Sequence, residues 1–249
     1  MNLKSIKSLE NNFDLLRLFA AFQVVLFHTS EHLEFNNFII NIFSIFPGVP
    51  IFFFMSGYLI YGSYESSKKS KNPFINFYFK RILRLYPALW TCFLISLSLV
   101  YLSGYFNQIN INYSEIFLWI TTQISFFQFY NPEFLREYGV GVINGSLWTI
   151  VVEIQFYLLV PFVYKILKRK ISIIITIFLF MIFNIIFSFS LDESNFFTKI
   201  LQISFIPWFY MFLIGAFFAK YNNYIPSILN FNTYILFLLF LSVYLLSNF

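Results

Sequence analysis

The sequence predicts an all-α bundle of helices that cross a membrane several times. Three observations carry this. Of 249 residues, 59% are hydrophobic and 24% aromatic, and only 11% are charged, whereas a soluble domain carries about 25% charge. The apolar residues gather into runs of about 20, the length a helix needs to cross a hydrocarbon core about 30 Å thick. Lysine and arginine gather in some of the intervening loops and are absent from others, as expected of a chain whose basic loops stay on one side.

The elements follow in order. Lys4 and Lys7 precede a first apolar span at 14–33. This start imitates a signal peptide, but no small-x-small cleavage site follows, and Arg17 and Gln23 interrupt the run, so it reads as an uncleaved helix. A second span, 41–62, contains PGVPIFFFMSGYLI, where Gly48, Ser56 and Gly57 permit close approach between helices. The segment ESSKKSKN (65–72) reads as a solvated basic loop. A third span covers 83–103, with Pro87 expected to kink its entrance. The piece 116–130 is marginal for a full crossing and suits a re-entrant or interfacial helix. Spans at 145–165, 171–190, 200–219 and 228–247 bring the full crossings to seven.

Orientation follows from the basic residues. Lys68, Lys69, Lys71, Lys80, Arg81 and Arg84 cluster before the third span, and Lys165, Lys168, Arg169 and Lys170 follow the span at 145–165. The loops at 34–40 and 104–115 have none. The basic loops and the N-terminus are therefore expected in the cytoplasm, a parity that works only if 116–130 does not cross. Arg136 and Lys199 fall outside, each offset by acidic neighbours (Glu133 and Glu137; Asp192 and Glu193). The net charge of +5 then reflects loops facing anionic lipid and not nucleic-acid binding. Cys92, the single cysteine, excludes an internal disulfide framework and a cysteine metal cluster, and in WTCFLISLSLVYL it reads as a packed thiol.

Ionisable groups inside such spans are costly and mark function by default. Arg17, Ala21, Val24, His28 and Glu31 follow one another at steps of four, three, four and three, which makes one helix face. Arg17 and His28 stand about 16 Å apart along that face. The bland alternatives are a snorkelling anchor for Arg17 and a hydrogen-bonded packing residue for His28. His28, Glu31 and His32 also match an H-x-x-E-H zinc pattern. Three fixed residues in five are a weak signal and no further carboxylate ligand stands out, so no metal is expected.

Arg81 and Arg84, three apart, share a helix face, and the arginine fork suits phosphate oxygens; the alternative is an ordinary positive-inside flank. In GSLWTIVVEIQFYLLVP, Ser146, Thr149, Glu153 and Tyr157 make a polar stripe at helical spacing. Glu153 is the carboxylate in mid-span, about 12 Å from the outer end of its helix, and His28 is about 9 Å from the outer end of its own. The two are therefore expected at similar depth. Ser56, Trp148 and Tyr157 are the candidates for touching an acceptor substrate.

Together these segments resemble the acyltransferase 3 family of integral membrane acyltransferases, over roughly 10–165. The resemblance rests on Arg17 and His28 with ten residues between them, on PGVPIFFFMSGYLI, on Arg81 and Arg84 before Leu-Tyr-Pro, and on SLWTIVVEIQFYLLVP with Glu153. It implies one membrane domain over 1–249, lacking the last spans of the family's fold, in a bacterial cytoplasmic membrane. It implies transfer of an acyl group, acetyl as the family expectation, from cytoplasmic acyl-CoA to a hydroxyl of a surface polysaccharide or lipid-linked glycan on the outer side. Arg17, Arg81 and Arg84 would hold the CoA phosphates. His28 would be the catalytic base, its burial favouring the neutral imidazole that a base needs, with Glu153 or Glu31 steadying the ring. The rival from another class is a polysaccharide flippase, which needs no arginine cluster for a nucleotide. An inactive, truncated acyltransferase is the third reading.

Overall fold

The computed structural model describes residues 10–33, 48–109, 112–139, 141–189 and 195–221; within the first of these it describes the side chains of 15–30 and 33. The regular elements among the described residues are helical. They are α1 (Glu10–His32), α2 (Gly48–Ser67), α3 (Pro73–Leu102), α4 (Tyr113–Ile124), α5 (Trp148–Ile166), α6 (Lys170–Phe189), α7 (Phe196–Gln202) and α8 (Phe209–Tyr221). Single 3-10 turns precede α5 at Gly145–Leu147 and α8 at Ile206–Trp208.

Among the described residues, three helical stretches are long and apolar enough to cross a membrane: Pro73–Leu102, Gly145–Ile166 and Lys170–Phe189. A fourth exists if Phe196–Gln202 and Ile206–Tyr221, bent by 44° at a short break, are one span. The apolar part of α1, Leu15–Ser30, is shorter. The expected span at 228–247, and the part of the second span before Gly48, lie outside the described residues.

The third span begins earlier than the apolar run suggests. α2 continues to Ser67, so the basic loop contracts to a turn at 68–72, and Pro73 opens α3 at a position where a missing N–H costs nothing. At 30 residues, α3 is about 45 Å long. Pro87 therefore stands in mid-helix and not at an entrance. The helix runs on through it, and the Thr91 hydroxyl donates to the Pro87 carbonyl at 2.8 Å.

The piece expected not to cross is a helix of 12 residues, about 18 Å. Asn112 caps it by accepting from the Ser114 N–H at 3.1 Å. Its far end is satisfied from α3: Trp90 donates to the Ile124 carbonyl at 3.2 Å and Tyr86 to the Ser125 carbonyl at 3.4 Å. Trp119 of α4 packs with Phe93, Val100 and Leu135 in one buried cluster.

The chain gathers into two compact units: Met1–Gly62, Val160–Thr198 and Ile206–Phe249 in one, Ser63–Leu159 and Lys199–Phe205 in the other. In the first, α2 and α8 touch backbone to backbone. A methyl group on Gly57 would run into the Phe212 carbonyl oxygen, and one on Gly215 into that of Phe54. Gly48 likewise meets α1, where a methyl would fall 2.9 Å from the Ala20 carbonyl oxygen. The close approach expected at Gly48 and Gly57 is therefore found. In the second unit, α3 packs along the start of α5, and this pair holds the site described next.

Candidate active site

Phe77 and Arg81 are four apart on α3, and Glu153 and Tyr157 four apart on α5, so each pair shares a helix face. The two faces meet. Phe77 is fully buried and Tyr157 nearly so, and their rings stand perpendicular, 6.5 Å apart at 87°. The Arg81 guanidinium sits against both, its Cζ 5.6 Å from the Phe77 ring centre and 5.8 Å from that of Tyr157. Tyr78 adds a bond between the helices, its hydroxyl donating to the Tyr157 carbonyl at 3.3 Å. The Tyr157 hydroxyl donates to Glu153 Oε1 at 2.6 Å, a length typical of a hydrogen bond to a carboxylate.

Arg81 is thus not a loop arginine. Its side chain is only 7% exposed and its buried Nε has no hydrogen-bond partner. Tyr157 is the middle residue of α5, about 13 Å from either end, so the guanidinium faces the middle of that helix. The expected arginine pair is therefore unequal, with Arg81 buried against α5. Because α3 starts at Pro73, Arg81 lies two turns into the helix. Arg84, one turn further, is exposed. A buried cation costs several kcal/mol unless compensated, and its neighbours here are two aromatic faces, the polar end of Tyr157 and the negative charge of Glu153.

The predicted polar stripe of α5 divides in two. Ser146 and Thr149 serve the helix start: the Ser146 hydroxyl donates to Asn144 Oδ1 at 2.6 Å, and the Thr149 hydroxyl to the Ser146 carbonyl at 2.8 Å. Asn144 also donates to Cys92 Sγ at 3.3 Å, so the half-buried thiol is an acceptor as well as packing. Glu153 and Tyr157 form the second half. Glu153 is half-buried, as is Trp148 at the first residue of α5.

Arg17, His28 and Ser56 belong to the other unit. The packed line of α1 runs through Ala20 and Gln23, both buried, beside Gly48. Arg17 is half-buried on its flank. His28 is about 140° round from Gln23 and exposed, its ring edge-on to Phe27 at 5.6 Å. Its stripe flanks the packed face of α1 and does not coincide with it. The side chains of Glu31 and His32 lie outside the described residues. Ser56 is half-buried next to Gly57. Among the described residues no group of three His, Cys, Asp or Glu side chains is placed to hold a metal.

Phe77 was not among the predicted site residues. A signal for it existed, because an aromatic four residues before an arginine on a helix is a recognisable pair. In a chain with 39 phenylalanines that signal does not stand out.

Residues 10–249 match the family model described as an acyltransferase domain. The chain belongs to the acyltransferase 3 family. It is 34% identical over 170 residues to nodulation protein 10 of Rhizobium leguminosarum bv. viciae, covering 64% of this chain and 45% of that protein. It is 26% identical over 182 residues to O-acetyltransferase OatA of Staphylococcus aureus, covering 68% of this chain and 28% of that one. It is 30% identical over 184 residues to the O-acetyl transferase of Shigella phage Sf6, covering 70% and 51%. The matched stretch is therefore about half, or less, of each relative's length. No solved structure matches the chain.

Proposed function

We propose that the chain forms one membrane domain that moves an acyl group, acetyl by preference, from cytoplasmic acyl-CoA to a hydroxyl of a surface polysaccharide or lipid-linked glycan on the outer side of a bacterial cytoplasmic membrane. The observation that supports this best is the buried cluster of Arg81, Tyr157 and Glu153 in an apolar helix pair, in a chain whose relatives include O-acetyltransferases. A cation held against aromatic rings, with an Nε left unbonded, suits the anionic phosphates of a CoA donor. Arg84 and Arg17 are assigned the same task, and Trp148 and Ser56 contact with the acceptor.

His28 is the general base in this reading. The acceptor oxygen attacks the thioester carbonyl carbon while its proton passes to the imidazole. A C–O bond forms, the C–S bond breaks, and the proton returns to the departing CoA thiolate. Glu31, about one turn along α1, and Glu153 are the carboxylates assigned to this chemistry, the first to steady the imidazolium. No metal has a part in the scheme.

The test is acetyl transfer to cell-surface glycan, measured by mass spectrometry in a strain carrying the wild type, His28→Ala or Glu153→Gln. His28→Ala is expected to lose at least about 100-fold in rate, as removal of a general base does, and Glu153→Gln to lose activity as well. Wild-type activity in either variant, with the protein inserted at normal levels, overturns that residue's role. Transport of the glycan with no dependence on acyl-CoA overturns the enzyme reading as a whole.

A further inference from the structure

The sequence suggests Tyr157 as a contact for the acceptor, by its place on the polar stripe. Its surroundings suit another task. The side chain is buried. It touches two charged groups: the hydroxyl binds the Glu153 carboxylate at 2.6 Å, and the ring centre lies 5.8 Å from the Arg81 guanidinium carbon. The Tyr78 hydroxyl bonds the carbonyl of the same residue, and the fully buried Phe77 ring meets it edge-on. One side chain therefore touches both the cation assigned to the donor and the carboxylate assigned to the chemistry.

We infer that Tyr157 is a positioning residue that fixes Glu153 through its hydroxyl and Arg81 through its ring, so that the donor's cation and this carboxylate are set by one group. Phe77 is the second wall of the arginine's corner and acts on donor binding alone. This rests on the acyltransferase reading given above. The division of labour is physical. A hydroxyl bond to a carboxylate fixes the carboxylate's rotamer. An aromatic face attracts a cation whether or not the ring carries a hydroxyl. The two functions of Tyr157 are thus separable by substitution.

The experiment measures steady-state acetyl transfer from acetyl-CoA in membranes for four variants, with protein levels matched by immunoblot. Tyr157→Phe keeps the ring and loses the hydroxyl; kcat is expected to fall about tenfold or more with the KM for acetyl-CoA unchanged. Phe77→Leu keeps the hydroxyl bond and removes one ring; the KM for acetyl-CoA is expected to rise about fivefold with kcat kept. Glu153→Gln and the double variant Tyr157→Phe/Glu153→Gln complete a cycle. If Tyr157 acts through Glu153, adding Tyr157→Phe to Glu153→Gln costs less than twofold. Additive losses, or a Tyr157→Phe effect confined to the acceptor's KM, overturn the inference; the second outcome restores the acceptor-contact role. Normal activity in Glu153→Gln with a lasting Tyr157→Phe defect overturns the role of Glu153 instead. Loss in Glu153→Gln with none in Tyr157→Phe overturns this inference alone.

Discussion

Arginine and lysine differ most where a flat cation meets flat rings, and Arg81 occupies such a place between Phe77 and Tyr157. Arg84, exposed one turn on, meets no such demand. Arg81→Lys is therefore expected to weaken CoA binding to the detergent-solubilised protein by about tenfold, and Arg84→Lys by clearly less. Isothermal titration calorimetry reads both, and the reverse order counts against the aromatic corner as the donor site. The sequence indicated both arginines by type and by their i, i+3 spacing. It did not separate them, because two positions only about 60° apart on one helix differ in burial according to the neighbour that each meets.

At the scale of the element, Gly57 and Gly215 form a reciprocal contact between α2 and α8 in which each glycine faces the other helix's backbone. A methyl group there meets carbonyl oxygen, which has no rotamer to change. Gly57→Ala and Gly215→Ala are each expected to destabilise by about 2 kcal/mol, the usual cost of overpacking, read as a lower midpoint of thermal unfolding in detergent. Gly62→Ala in the same helix α2, where nothing lies within 4 Å, is expected to be neutral or slightly stabilising through helix propensity. Equal effects at Gly57 and Gly62 argue against the contact. The break between α7 and α8 is a second feature of this scale. Gln155 closes it, accepting from the Phe205 N–H at 2.7 Å and donating to the Ile203 carbonyl at 3.4 Å. Hydropathy reads 200–219 as one uninterrupted span. Pro207 was the available sign of a break, since proline removes a helical donor and restricts the residue before it.

At the scale of the whole molecule, the prediction concerns sidedness. The basic turn at 68–72 and the uncharged stretch after Leu102 lie at opposite ends of the 30-residue helix α3. The positive-inside rule places the first in the cytoplasm. In a Cys92→Ser background, a cysteine at Lys69 is expected to react with an impermeant maleimide only after the cells are permeabilised. One at Gln108 is expected to react in intact cells. The opposite pattern overturns the orientation, and with it the cytoplasmic entry of the donor.

The sequence by itself determined that this chain is built of membrane helices, because transfer into hydrocarbon is close to additive over the residues of one helix and needs no knowledge of the neighbours. It also singled out Arg17, His28, Arg81, Arg84 and Glu153, since an ionisable group in an apolar run is costly whatever surrounds it. The apolar run at 116–130 announced α4 but not its bounds, which are Tyr113–Ile124. Only the tertiary structure decided that Arg81 and Glu153 share Tyr157, that Arg84 is left exposed, and that His28 lies on a flank of α1. Periodicity gives the angle of a side chain about its own helix axis. Contacts across helices depend on the rotation and axial register of two helices together, and packing alone sets those.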